Sequence, residues 1–116
     1  MSASTGGTIL MLTREGMGHA DPDLQKRLLQ KYLTLVLEDD QIPWAICFYT
    51  EGVRLVVEGS SVLEQLQALQ KRGVCLIACH TCLQAYGLLE QVRVGIVGGM
   101  GDILAAQNRA AKVISL

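Results

Sequence analysis

Two cysteines stand three apart in the stretch ACHTCLQAYG, Cys79 and Cys82, with His80 between them. A thiolate attacks electrophilic sulfur, binds soft metals and forms disulfides. A pair at this spacing can therefore be a redox couple, a metal clamp, a sulfur carrier or plain packing. The preceding GVCLIA reads as a buried strand and the following LQAYGLLE as a short helix. Cys79 is thus expected where the strand ends and the helix begins, at the rim of a sheet rather than sealed in hydrocarbon. Unpaired N–H groups and positive potential at a helix start favour thiolate over thiol. Cys79 is the expected nucleophile. Cys82, one turn on, is placed to attack a sulfur carried on Cys79.

The other readings of the pair have their own requirements. Cys47 in WAICFY and Cys75 in VCLIA read as core residues with no chemical role. A structural zinc site needs four ligands, and one CxxC supplies two. His80 and His19 could add to them, but no second close-spaced pair exists, and no metal or other cofactor is expected. A thioredoxin-like oxidoreductase suits the strand–CxxC–helix context. However, Pro22 opens a helix and Pro43 precedes a strand, so neither is set to face the cysteines. His19 would lie near Cys79 if their strands were neighbours, and its charge would favour the thiolate; otherwise it is a solvated loop histidine. His80 adjoins Cys79 in sequence only. Arg14 either binds an anion or is solvated.

These groups need a scaffold that brings chain ends together. TILMLT (8–13), WAICFY (44–49) and VCLIA (74–78) are unbroken apolar runs, as expected of strands buried on both faces. VRVGIVG (92–98) is expected to hold a fourth strand, and KVISL (112–116) is expected as a last one. VRLVVEG is ambiguous. Asp21 suits a helix N-cap and Pro22 the first helical position, with apolar residues at helical spacing through to Glu38. Ser61 and Glu64 form a capping-box pattern, and Lys71-Arg72-Gly73 closes that second helix. The CxxC helix is expected to end near Gly87, and a last helix is expected from about 103 to 111 with Asp102 as its N-cap. Strands alternating with helices predict a three-layer α/β/α sandwich on a mainly parallel sheet of about five strands. Residues 1–7 are expected as a flexible tail and 8–116 as one domain.

In open parallel sheets ligands bind beyond the carboxyl ends of the strands. Three loops are expected there: 14–20 with Gly16 and Gly18, 79–81, and 98–102 with Gly99, Met100 and Gly101. Their glycines allow close backbone approach to a substrate. GIVGGMG fits neither the P-loop nor the dinucleotide spacing.

Bulk composition narrows the partners. The chain has 116 residues, half of them apolar and 18% charged, with net charge −1 and mean hydropathy +0.32. That is a large apolar share for one small domain, and self-association is expected. No basic run and few aromatics argue against nucleic acid. No apolar run reaches the roughly 20 residues of a membrane span, and MSASTGGT has no basic leader region. The chain is expected in the cytoplasm, where its four cysteines stay reduced.

Four stretches together resemble a known family: GMGHADPDLQKRLL, YTEGVRLVVEGSSVLEQLQALQKRGV, ACHTCLQAYGL and VGIVGGMGDIL. The order and spacing are similar to the DsrE-like superfamily of sulfur-handling proteins, most closely to the C-terminal domain of YedF-type proteins linked to selenium metabolism. The resemblance covers most of the chain from residue 8. It implies the same sandwich fold, assembly as a homotrimer or homohexamer, and a sulfur relay in which Cys79 carries a persulfide. Cys82 matches the second cysteine of the YedF-like motif, and a TusA-like sulfur carrier is the implied partner. The sequence departs from that pattern at His80, usually glycine, at Glu51, usually asparagine, and at Gly99-Met100-Gly101.

Overall fold

A computed structural model of the chain describes residues 7–116. All but the last residue of the expected N-terminal tail lies outside the described residues. Five strands form one sheet: β1 (Thr8–Leu12), β2 (Ala45–Phe48), β3 (Cys75–Cys79), β4 (Ile96–Gly98) and β5 (Lys112–Ser115). Their order is β4-β3-β2-β1-β5, and every pairing is parallel. The three central strands read TILML, AICF and CLIAC and are buried almost throughout. That is what a parallel strand covered on both faces requires. The edge strands β4 and β5 are mostly exposed.

Four helices connect them: α1 (Pro22–Glu38), α2 (Leu63–Lys71), α3 (His80–Ala85) and α4 (Met100–Arg109). α1 starts as its sequence predicts. The Asp21 carboxylate accepts the Leu24 N–H at 3.0 Å and Pro22 occupies the first helical position. Leu29 and Leu33 of α1, with Leu66 and Leu69 of α2, are fully buried beside Phe48 and Ile9 of the sheet. α1 and α2 also pack on each other. From β1 to β4 the chain steps across the sheet in one direction, then runs back past β1 to add β5. Right-handed crossovers put α1 and α2 on one face and α4, on the reversed connection, on the other. The expected three-layer α/β/α sandwich follows.

Several local expectations are corrected. The Ser61–Glu64 capping box does not form. α2 begins at Leu63 behind Val62, whose N–H is taken by the Ser60 hydroxyl at 3.2 Å, so the neighbouring serine supplies the polar contact. VRLVVEG lies mostly in a 3₁₀ helix, Thr50–Val56. The fourth strand lies within 92–98, as expected, at its end. Val92 makes an isolated antiparallel bridge to Val57, and Gly95 turns the chain at φ +81° before β4 begins. The last helix starts at Met100, not 103. Asp102 is not its N-cap but sits three residues in and reaches back to the Gly99 N–H at 2.8 Å.

Candidate thiol site

Strand register sets the neighbourhood of the cysteines. Phe48 of β2 lies opposite Ala78 of β3, and Cys79 opposite Gly98 of β4. The carboxyl ends of β2, β3 and β4 therefore form one rim. Cys79 ends β3 and caps α3, as the sequence predicts. Two features differ from expectation. Cys79 is only 2% exposed and belongs to the hydrophobic core. Its side chain also takes no hydrogen bond from the start of α3, a helix of six residues.

The amide that points at sulfur comes from elsewhere and meets the other cysteine. Cys82 is half-buried, and its Sγ accepts the Thr50 backbone N–H at 3.1 Å. Cys79 is its electrostatic neighbour, three residues earlier at the N-cap of α3. Burial pushes the Cys82 thiol up, and Cys79 adds to this; the Thr50 amide works in the opposite direction.

Thr50 is placed by strain. Its φ is +50°, a left-handed conformation that costs a β-branched residue on the order of 1–3 kcal/mol. The conformation is held from both sides. The Thr50 hydroxyl donates to the Thr13 carbonyl at 2.9 Å and is 2.6 Å from the Tyr49 carbonyl. Two residues on, Gly52 lies directly against the Leu12 carbonyl, where no Cβ would fit. β1 thus fixes the loop that aims the amide at Cys82. Sequence reasoning missed Thr50. The one signal available was the Glu51-Gly52 turn closing an apolar strand, and its relevance depended on β2 lying beside β3.

A polar group flanks Cys82. Tyr86, one helical turn beyond it, carries the Arg54 guanidinium over its ring at 4.5 Å. Arg54 also pairs with Glu51 at 2.8 Å. The Tyr86 hydroxyl is pushed up, chiefly by its hydrogen bond to the Glu51 carboxylate.

The remaining candidates divide clearly. Gly99, Met100 and Gly101 are exposed and follow Gly98, the register partner of Cys79; the expected 98–102 loop is reduced to Gly99, since α4 already starts at Met100. His80 is exposed as the first residue of α3. His19 is not brought to Cys79, because β2 stands between β1 and β3. Instead Arg14 Nη1 bonds the Gly18 carbonyl and lies 3.2 Å from each His19 ring nitrogen, closing the loop on itself. Gly16 is buried there against the Gln25 backbone, while Gly18 turns at φ +75°. Cys47 is fully buried, and burial, aided by Cys75, pushes its thiol up to about 11. Among the described residues no group of three or more His, Cys, Asp or Glu could hold a metal ion. Among the same residues no helix is long and apolar enough to cross a membrane.

Comparison with known proteins places this architecture. The YchN protein of E. coli superposes with a TM-score of 0.71 at 15% identity, covering 96% of this chain and 99% of its own. Protein MTH1491 of Methanobacterium thermoautotrophicum gives 0.68 at 20% identity, covering 94% and 97%. Protein BT1422 of Bacteroides thetaiotaomicron gives 0.63 at 18% identity, covering 95% of each chain. At these identities the likeness is one of fold. No curated protein matches the chain. The family model for DsrE/DsrF-like proteins matches residues 32–116, from the middle of α1 through the CxxC to β5. The chain belongs to the DsrE/DsrF-like family.

Proposed function

We propose that the protein traffics sulfur, or its selenium counterpart, as a persulfide on Cys79. The supporting observation is the pairing at the sheet rim. Cys79 ends β3, Cys82 follows in the first turn of α3, and a backbone amide is held in a strained conformation to meet the Cys82 sulfur. β1 holds that strain in place, and strained backbone clusters at functional sites. Membership of a sulfur-handling family points the same way. In the net reaction the outer sulfur of a donor persulfide, R–S–SH, passes to the Cys79 thiolate. The donor S–S bond breaks, R–S⁻ leaves, and Cys79–S–SH forms, with no net oxidation. Transfer to an acceptor thiol is the same exchange in reverse.

The reading extends to partners. A TusA-like carrier is a suitable donor or acceptor, in a reducing cytoplasm that keeps the thiols free. Ile96, Val97, Met100 and Leu104 are each between 41 and 55% exposed along β4 and α4. That apolar surface suits assembly of copies into a homotrimer or homohexamer. The YedF-like motif favours a link to selenium. One observation favours a second reading, an interaction module with a structural CxxC: Cys79 is nearly inaccessible.

Intact mass after incubation with glutathione persulfide separates the two. The carrier gains one sulfur atom, and Cys79→Ser does not retain it at that position. A parent protein that gains no sulfur refutes the carrier and leaves the interaction module.

A further inference from the structure

We infer that Cys82 is the receiving thiol that loads Cys79 with sulfur, an inference that rests on the carrier reading above. Accessibility carries the argument. Cys79 is 2% exposed, so a donor persulfide cannot approach it directly, whereas Cys82 is half-buried and stands three residues on, in the first turn of α3. The only backbone N–H aimed at either sulfur among the described residues reaches Cys82, from Thr50 at 3.1 Å. An N–H donor to sulfur stabilises negative charge there. It therefore assists Cys82 twice, as attacking thiolate and as departing thiolate.

Two exchanges follow. The Cys82 thiolate attacks the outer sulfur of R–S–SH, giving Cys82–S–SH and R–S⁻. The Cys79 thiolate then attacks the outer sulfur of Cys82–S–SH, giving Cys79–S–SH and returning the Cys82 thiolate to the Thr50 amide. Each step forms one S–S bond and breaks one, the proton travels with the transferred sulfur, and no oxidant is consumed. The buried Cys79 persulfide is then shielded from stray thiols. Attack on the inner sulfur would instead expel hydrosulfide and leave a Cys79–Cys82 disulfide, a product distinguishable by mass.

The test is the rate of sulfur gain from glutathione persulfide, followed by site-resolved mass spectrometry, in the parent, Cys82→Ser, Cys82→Ala and Cys79→Ser. The two Cys82 variants, each checked for parental circular dichroism, are expected to load Cys79 slower by about tenfold or more. Cys79→Ser is expected to hold the sulfur on Cys82. Cys82 variants that load Cys79 at the parental rate overturn the inference while leaving the carrier intact. So does a Cys79→Ser variant that takes up no sulfur, or a parent that ends as the disulfide. A parent that gains no sulfur anywhere defeats the carrier reading itself.

Discussion

Gly52→Ala is expected to damage both stability and the thiol site, and its magnitude can be worked from the structure. A Cβ on Gly52 would lie 2.0 Å from the Leu12 carbonyl oxygen, 2.7 Å from the Leu12 carbonyl carbon and 3.1 Å from the Thr13 nitrogen. Ordinary contact is about 3.5 Å, so the 3₁₀ helix must retreat from β1 by about 1.5 Å. All three obstructing atoms are backbone in or beside a central strand, so none can swing aside. Overpacking costs about 1–3 kcal/mol, and this case belongs at the upper end, about 3 kcal/mol. At roughly 4 °C per kcal/mol for a domain of this size, the expected fall in Tm is about 12 °C. The retreat also carries Thr50 away from Cys82 and breaks the 3.1 Å amide contact. Thermal unfolding by circular dichroism reads the first effect, and the alkylation rate of Cys82 against pH reads the second. Gly101→Ala is the control, because its Cβ would meet nothing within 4 Å. It lies in α4, where alanine gains up to about 1 kcal/mol of helix propensity. A Gly52→Ala protein melting within about 2 °C of the parent would show that the close approach does not hold the loop.

Three further outcomes are expected. Asp102→Ala removes the carboxylate from the Gly99 N–H and should cost about 1 kcal/mol, a Tm drop of about 4 °C, which Asp102→Asn partly restores. Leu83 is the only buried residue of α3, so Leu83→Ala should cost about 2–5 kcal/mol and speed Cys82 alkylation as the helix loosens, both read on the same samples. Cys47 supplies an alkaline signature, because burial raises its folded-state pKa from 9.0 to about 11. Between those values the folded chain keeps a proton that the unfolded chain has lost, so this contribution to stability is complete below pH 9 and declines as pH rises towards 11. The full loss is about 3 kcal/mol. Denaturant titrations from pH 8 to 11 should show a shallower decline in Cys47→Ala than in the parent, and equal slopes would refute the assignment.

Sequence and structure agree where burial is complete. TILML, AICF and CLIA are legible because a strand covered on both faces has no polar positions to blur its run. The start of α1 is legible because Asp21 and Pro22 act locally. The misses arise where tertiary contacts decide. Val92 and Val94 look like strand residues, yet Gly95 must turn the chain against Leu76 before β4 can pair. Glu64 offers a capping partner to Ser61, but the helix starts after Val62, which is fully buried. At the site, the place of both cysteines in the chain's strand-to-helix junction was recoverable from local pattern, whereas the expected 98–102 loop is reduced to Gly99, because β4 runs to Gly98 and α4 starts at Met100. Strand order was not recoverable, and it removes His19 from Cys79 and brings Thr50 to Cys82. Burial of Cys79 was equally hidden, because a strand-end residue is covered or open according to what its neighbours place above it.

The last-added strand has a consequence for how the chain is made. β5 hydrogen-bonds to β1 from Thr8–Lys112 to Met11–Ser115, joining the last strand of the sheet to the first. β1, β2 and β3 all precede residue 112 in the chain and can pair before β5 docks. Throughout that interval one side of β1 presents unpaired N–H and C=O groups flanked by apolar side chains, a ready template for another strand. On a crowded polysome the β5 of a finished copy can seat itself in a half-made neighbour, exchanging strands between chains. The short span from Arg109 to Lys112 opposes this, since it delivers β5 to its own β1 as soon as α4 has docked.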